Sequence, residues 1–131
     1  MKRLLAPAAL AAALCAPLSS LLPAAALAHE NTLTPRHGGV VVEVRDVEYE
    51  LVAQPQRLAL HLRDHGRALI APEARARVTL LAGGKTQQVE LQPSGDHLQA
   101  DGAFAVGPGA KAVAVVTVPG RQPATARFVL R

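Results

Sequence analysis

Val47-Glu48-Tyr49-Glu50-Leu51-Val52-Ala53, a break at Gln54-Pro55-Gln56, then Leu58-Ala59-Leu60-His61-Leu62-Arg63 is the stretch that decides the fold. Val47, Tyr49 and Leu51 alternate with Glu48, Glu50 and Val52, and Leu58, Leu60 and Leu62 alternate with Ala59, His61 and Arg63. A period of two puts one set of side chains on a buried sheet face and the other in water. Upstream, Val40 to Val44 reads as a strand that Arg45-Asp46 turns into the first of these two, and Asp64-His65-Gly66 is a turn signal after the second.

Downstream the same grammar repeats. Arg67 to Ala74, with Pro72, reads as a crossing connection. A strand from Ala76 to Leu81 meets Gly83-Gly84 and returns as Thr86 to Gln92. Pro93-Ser94-Gly95-Asp96 is a further turn, followed by short runs at His97 to Ala100 and Ala103 to Val106. Gly107-Pro108-Gly109 leads into Lys111 to Val118, and Pro119-Gly120 into Ala124 to Leu130. No helical period is sustained after the N-terminal segment. Short strands between regular turns predict an all-β domain, an immunoglobulin-like antiparallel β-sandwich of seven to nine strands over residues 37–131. Its core is expected to be Val, Leu and Ala with Tyr49, Phe104 and Phe128, a thin filling of modest stability.

The first residues carry a different pattern. Lys2 and Arg3 precede an apolar run from Leu4 to Leu22, Pro23 ends it, and Ala26-Leu27-Ala28 places small residues at −3 and −1 of a cleavage site. This predicts a secretory signal peptide over residues 1–28, hence a periplasmic protein with no membrane insertion after cleavage. Residues 29–36 then form a polar, flexible arm with His29 first. Cleavage after Ala26 satisfies the same rule and makes His29 third.

Removing 28 of 131 residues leaves 103, enough for one small domain. Lys2 and Arg3 leave with the leader, so 12 basic face 10 acidic residues in the remainder, a weak field. Arginines spread from Arg36 to Arg131, with three aromatics, offer neither a basic patch nor a stacking platform, which argues against nucleic acid. Cys15 and Met1, the only sulfur residues, both lie in the leader, so no disulfide or thiolate site is expected in the mature chain.

Any metal must then be held by imidazole, amine, carboxylate or carbonyl, donors that suit Cu(II) or Zn(II). With cleavage after Ala28, His29 joins an α-amine to an imidazole; with cleavage after Ala26, its ring, two amides and the amine form a square-planar site. His37, before Gly38-Gly39, sits where the arm meets the sheet and could meet His29 if the arm folds back. His61 lies on the face opposite the leucines; His65, four residues on, is about 13 Å away along an extended strand, so only a curled turn unites them. His97, beside Asp96, reads as a surface residue. The expected metal ligands are therefore His29, His37, His61 and His65, each of which is otherwise an ordinary exposed histidine.

Catalytic patterns are missing: Ser94, Asp96 and His97 are neighbours in a turn without triad geometry, and there is no phosphate loop or His-Glu-x-x-His. No enzyme activity and no organic cofactor are expected. His37-Gly38-Gly39-Val40-Val41 after a His-bearing arm, the Asp64-His65-Gly66 turn, the Leu80-Leu81-Ala82-Gly83-Gly84-Lys85 hairpin and Val115-Val116-Thr117-Val118-Pro119-Gly120 resemble a group of small proteobacterial periplasmic proteins. The His-Gly-Gly opening is also similar to the N-terminal region of adaptor subunits of heavy-metal efflux pumps. More loosely, the chain resembles periplasmic copper-resistance sandwich proteins, without their methionine-rich segment. These resemblances imply metal homeostasis, with a metal-efflux or other envelope protein as partner. The other reading is a non-catalytic interaction module or transporter adaptor whose histidines are incidental.

Overall fold

The computed structural model describes residues 33–131. The expected leader and the first half of the arm, His29 included, lie outside these residues. The described chain is all-β and antiparallel, with nine strands and no helix: β1 Val40–Val44, β2 Val47–Gln54, β3 Arg57–Asp64, β4 Arg67–Ala68, β5 Arg75–Ala82, β6 Lys85–Ser94, β7 His97–Asp101, β8 Lys111–Thr117 and β9 Ala124–Val129.

The ladder follows one path, β1-β2-β3-β7-β6-β5-β8-β9, with the two-residue β4 added to β3. Strand β6 makes this continuity. Its first part pairs with β5 up to Ala76↔Leu91, and its last residues pair with β7 from Gln92↔Gln99 to Ser94↔His97. The two layers expected from the alternation are thus two halves of a single rolled sheet. Its terminal strands β1 and β9 lie side by side without a ladder between them.

The inward set is the one the alternation gives. Tyr49, Leu51, Leu58, Leu60, Leu62 and Leu98 from one half meet Ala76, Val78, Leu80, Ala112, Ala114, Val116, Ala126 and Phe128 from the other. Leucine against alanine fits large groups to small ones across a narrow interior, as close packing demands. Phe104 only edges this core, because Ala103 to Val106 forms no strand. That segment is tied instead to the β2–β3 turn, with Phe104 N–H donating to the Pro55 carbonyl (2.8 Å) and Gly102 N–H to that of Gln56 (3.0 Å).

Candidate metal centre

Register places the site. Val41↔Glu50 and Glu50↔His61 are cross-strand partners, and Leu60↔Leu98 is the last pair of the β3–β7 ladder, so His97 stands opposite His61 one step on. Directly opposed residues share a face. Glu50, His61 and His97 therefore form a row on the outer side of the sheet, one beat off the leucines.

That outer face is covered here by the chain entering β1. Glu50 is fully buried, and its carboxylate accepts the backbone N–H groups of His37 (2.7 Å), Gly39 (3.1 Å) and Arg36 (3.1 Å). It also accepts Arg63 Nη1 at 3.1 Å, while Arg63 Nε donates to Glu48 at 2.9 Å. Burial works to raise the Glu50 pKa, but the three N–H donors and Arg63 outweigh it and hold the carboxyl below its ordinary range. The two glycines let the segment lie this close: Gly38 has φ +75°, and a Cβ on Gly39 would stand 2.4 Å from the Leu51 carbonyl oxygen.

The Glu50 anchor sets the exposed His37 over the row. The His37 and His61 rings stack with centroids 3.6 Å apart and planes 8° apart, and His61 and His97 are 4.8 Å apart at 33°. His97 Nδ1 lies 3.0 Å from Asp96 Oδ1, and its Nε2 lies 2.9 Å from Gln99 Oε1. One ligand atom each from His61, Asp96 and His97 lie within 4.8 Å of one another. An open cleft of about 280 Å³, lined by Arg36, His37, His61 and Asp96 among others, gives access from solvent.

The two inner histidines are tuned in opposite directions. Burial, reinforced by repulsion from His37 and His97, lowers the His61 pKa, so its ring is held neutral. Burial also disfavours charge on His97, but the acceptors Gln99 and Asp96 overcome it and raise the pKa. His97 suits an imidazolium with both N–H groups bonded, whereas His61 offers a lone pair at neutral pH.

Of the four ligands expected from sequence, His61 and His37 come together here. His65 stands at the β3–β4 turn with its side chain 86% exposed and 2.5 Å from Asp64, outside this group. His29 lies outside the described residues. Sequence reasoning missed His97, whose side chain is only 22% exposed, together with Asp96. The usable signal was that His61 and His97 both take the polar beat of short strands, but pairing them needed the register. Among known proteins, the chain matches no family model, no curated protein and no solved structure.

Proposed function

We propose that this domain is a non-catalytic periplasmic accessory protein that binds a divalent transition metal, Cu(II) or Zn(II), and serves metal homeostasis or efflux. The observation that carries the reading is the convergence of His61, His97 and Asp96 beneath His37. Two imidazoles and a carboxylate form a donor set suited to Zn(II) and Cu(II), with a position left for water or a fourth ligand. Tetrahedral zinc with nitrogen ligands at about 2.0–2.1 Å needs donor atoms roughly 3.3 Å apart, so small rotations of these side chains suffice. Face-to-face stacking keeps the His37 ring from aiming a nitrogen at an ion shared with His61; His37 either swings to become the fourth ligand or covers the site.

Binding at His97 must displace Gln99 or Asp96 from one ring nitrogen and release any proton held there, so metal uptake is coupled to pH. The test is isothermal titration of the metal-free full chain with Zn(II) and with Cu(II), the copper complex also read by electron paramagnetic resonance. One equivalent bound with several nitrogen ligands, and loss of at least about tenfold in affinity in both His61→Ala and His97→Ala, supports the reading. Affinity unchanged in both variants overturns this ligand set, and a His29→Ala variant then tests the N-terminal chelate. Absence of stoichiometric binding for either metal leaves the interaction module as the better account.

A further inference from the structure

A second site lies on the opposite face of the same strands. Tyr49 pairs with Leu62 one step from Glu48↔Arg63 and so points inward, where it is 4% exposed. Its hydroxyl hydrogen-bonds to no group among the described residues, yet it is not sealed off, since Arg63 Nη2 is the one such atom both buried and unpartnered there. A hydroxyl that reaches solvent can exchange water for a ligand's hydrogen bond. This one lines a cavity of about 230 Å³ at a mouth of the rolled sheet, with apolar walls from Val47, Leu69, Val116 and Val118.

Two guanidinium groups share that cavity. Arg121 is already paired with Asp64. Arg45 donates only to the Pro123 carbonyl, at 3.1 Å, and meets no carboxylate among the described residues. Arg45 also occupies an unfavourable backbone position: with φ 50° at Arg45 and 65° at Asp46, the β1–β2 hairpin is built on two left-handed residues. Such turns favour Asn-Gly, and a side chain like arginine there costs roughly 1–2 kcal/mol. The exposed Arg45, which has no carboxylate partner among the described residues, and the Tyr49 hydroxyl thus line one open cavity with partly apolar walls, a pairing that suits a carboxylate ligand.

We propose that this cavity binds a small monocarboxylic acid with an apolar body, its carboxylate held by the Arg45 guanidinium and the Tyr49 hydroxyl and its hydrocarbon part set among Val47, Leu69, Val116 and Val118. The volume is below the roughly 300–1,000 Å³ of sites for drug-sized ligands, which limits the body to a short chain or a single ring. This site is independent of the metal centre, being on the other face of the sheet.

The probes are benzoate and hexanoate, with benzyl alcohol and hexanol as neutral counterparts, titrated into the ¹⁵N-labelled full chain in the presence of a chelator. Saturable shifts confined to residues around Tyr49, Val116 and Val118, with the acids binding at least about tenfold tighter than the alcohols, are expected. Arg45→Asn removes the guanidinium while suiting the turn, so the domain should be as stable as before or more so while acid binding falls at least about tenfold. Tyr49→Phe should weaken it by several-fold. Binding unchanged in Arg45→Asn, equal binding of acids and alcohols, shifts that map elsewhere, or no saturable shifts at millimolar acid would each overturn the proposal.

Discussion

Replacing Glu50 by alanine should detach the segment over the site and destabilise the domain together, and the structure sets the size of both effects. The carboxylate is fully buried and holds four donors: the N–H groups of Arg36, His37 and Gly39, and Arg63 Nη1. Arg36 and His37 are exposed, so their N–H groups can turn to water when the acceptor goes. Arg63 cannot, since its side chain is only 6% exposed and its Nη2 already lacks a partner. Removing one member of a buried pair costs about 3–5 kcal/mol. The retained bond from Arg63 to Glu48 and rehydration of the freed segment favour the lower figure, about 3 kcal/mol. For a domain of about 100 residues that is a fall in Tm of roughly 12–24 °C. Urea unfolding of the two proteins measures it, with an unchanged m-value as the condition for reading the midpoint shift as stability. Loss of the His37–His61 stack, followed by the ring proton shifts of His61, is the second readout. Glu50→Gln, which keeps an acceptor for the backbone but not the charge, should fall between the two. A cost under about 1 kcal/mol in Glu50→Ala, with the stack retained, would refute both the anchoring role and the buried-pair argument.

Gly39→Ala brings a Cβ to 2.4 Å from the Leu51 carbonyl oxygen, and should cost about 1–3 kcal/mol by urea unfolding and shift the His37 ring. His65→Ala should leave metal affinity within about twofold in the same titrations, because that side chain is exposed and bonded to Asp64 away from the cluster. The pH dependence of stability should carry opposing histidine contributions. His61, its pKa lowered, favours the folded state above the unfolded histidine value and loses that contribution as pH falls through the histidine range. His97, its pKa raised, favours folding below that value and loses the contribution as pH rises through its folded pKa. Urea midpoints of His97→Gln should therefore rise with pH between about 5.5 and 7.5, those of His61→Gln should fall, and parallel profiles would contradict the assignment. Glu50, with a lowered pKa, adds stability above the unfolded carboxylate range that disappears as pH falls through its folded value, so Glu50→Ala and the parent should converge in acid.

The strands were legible because leucine and valine on one beat against charged residues on the other leave little doubt about a half-buried sheet. Ala103 to Val106 shows the limit of such reading: four residues of suitable composition form no strand, and the Phe104 N–H bonds to the β2–β3 turn instead. Strand β6 shows another. Nothing in the Thr86 to Gln92 alternation says that its partner changes at Leu91, so one rolled sheet and two separate ones look alike in sequence. Glu50 and Arg63 do lie on the outer face, but the expectation that this face is wet fails for them, since both are buried. What buries them is a segment crossing from outside the sheet, and strand periodicity carries no information about such a cover. His97 was passed over for the same kind of reason, as its neighbour across the sheet is decided by register.

Register also ties the proposed chemistry to the core. Leu51, Leu60 and Leu98 occupy one beat across β2, β3 and β7, and their burial rules out any slip of a single residue. The other beat then lies on the outer face, and the observed register sets Glu50, His61 and His97 in one row there. A slip of one residue would put the histidines in the core and scatter the leucines into water. Within the row, the buried Glu50 carboxylate and the exposed Asp96 flank rings that are neutral or singly protonated near neutrality, which makes the cluster attractive to a cation. In acid, added imidazolium charge offsets those carboxylates and the same groups repel one. The metal site proposed above would therefore take up its ion as pH rises and yield it as pH falls.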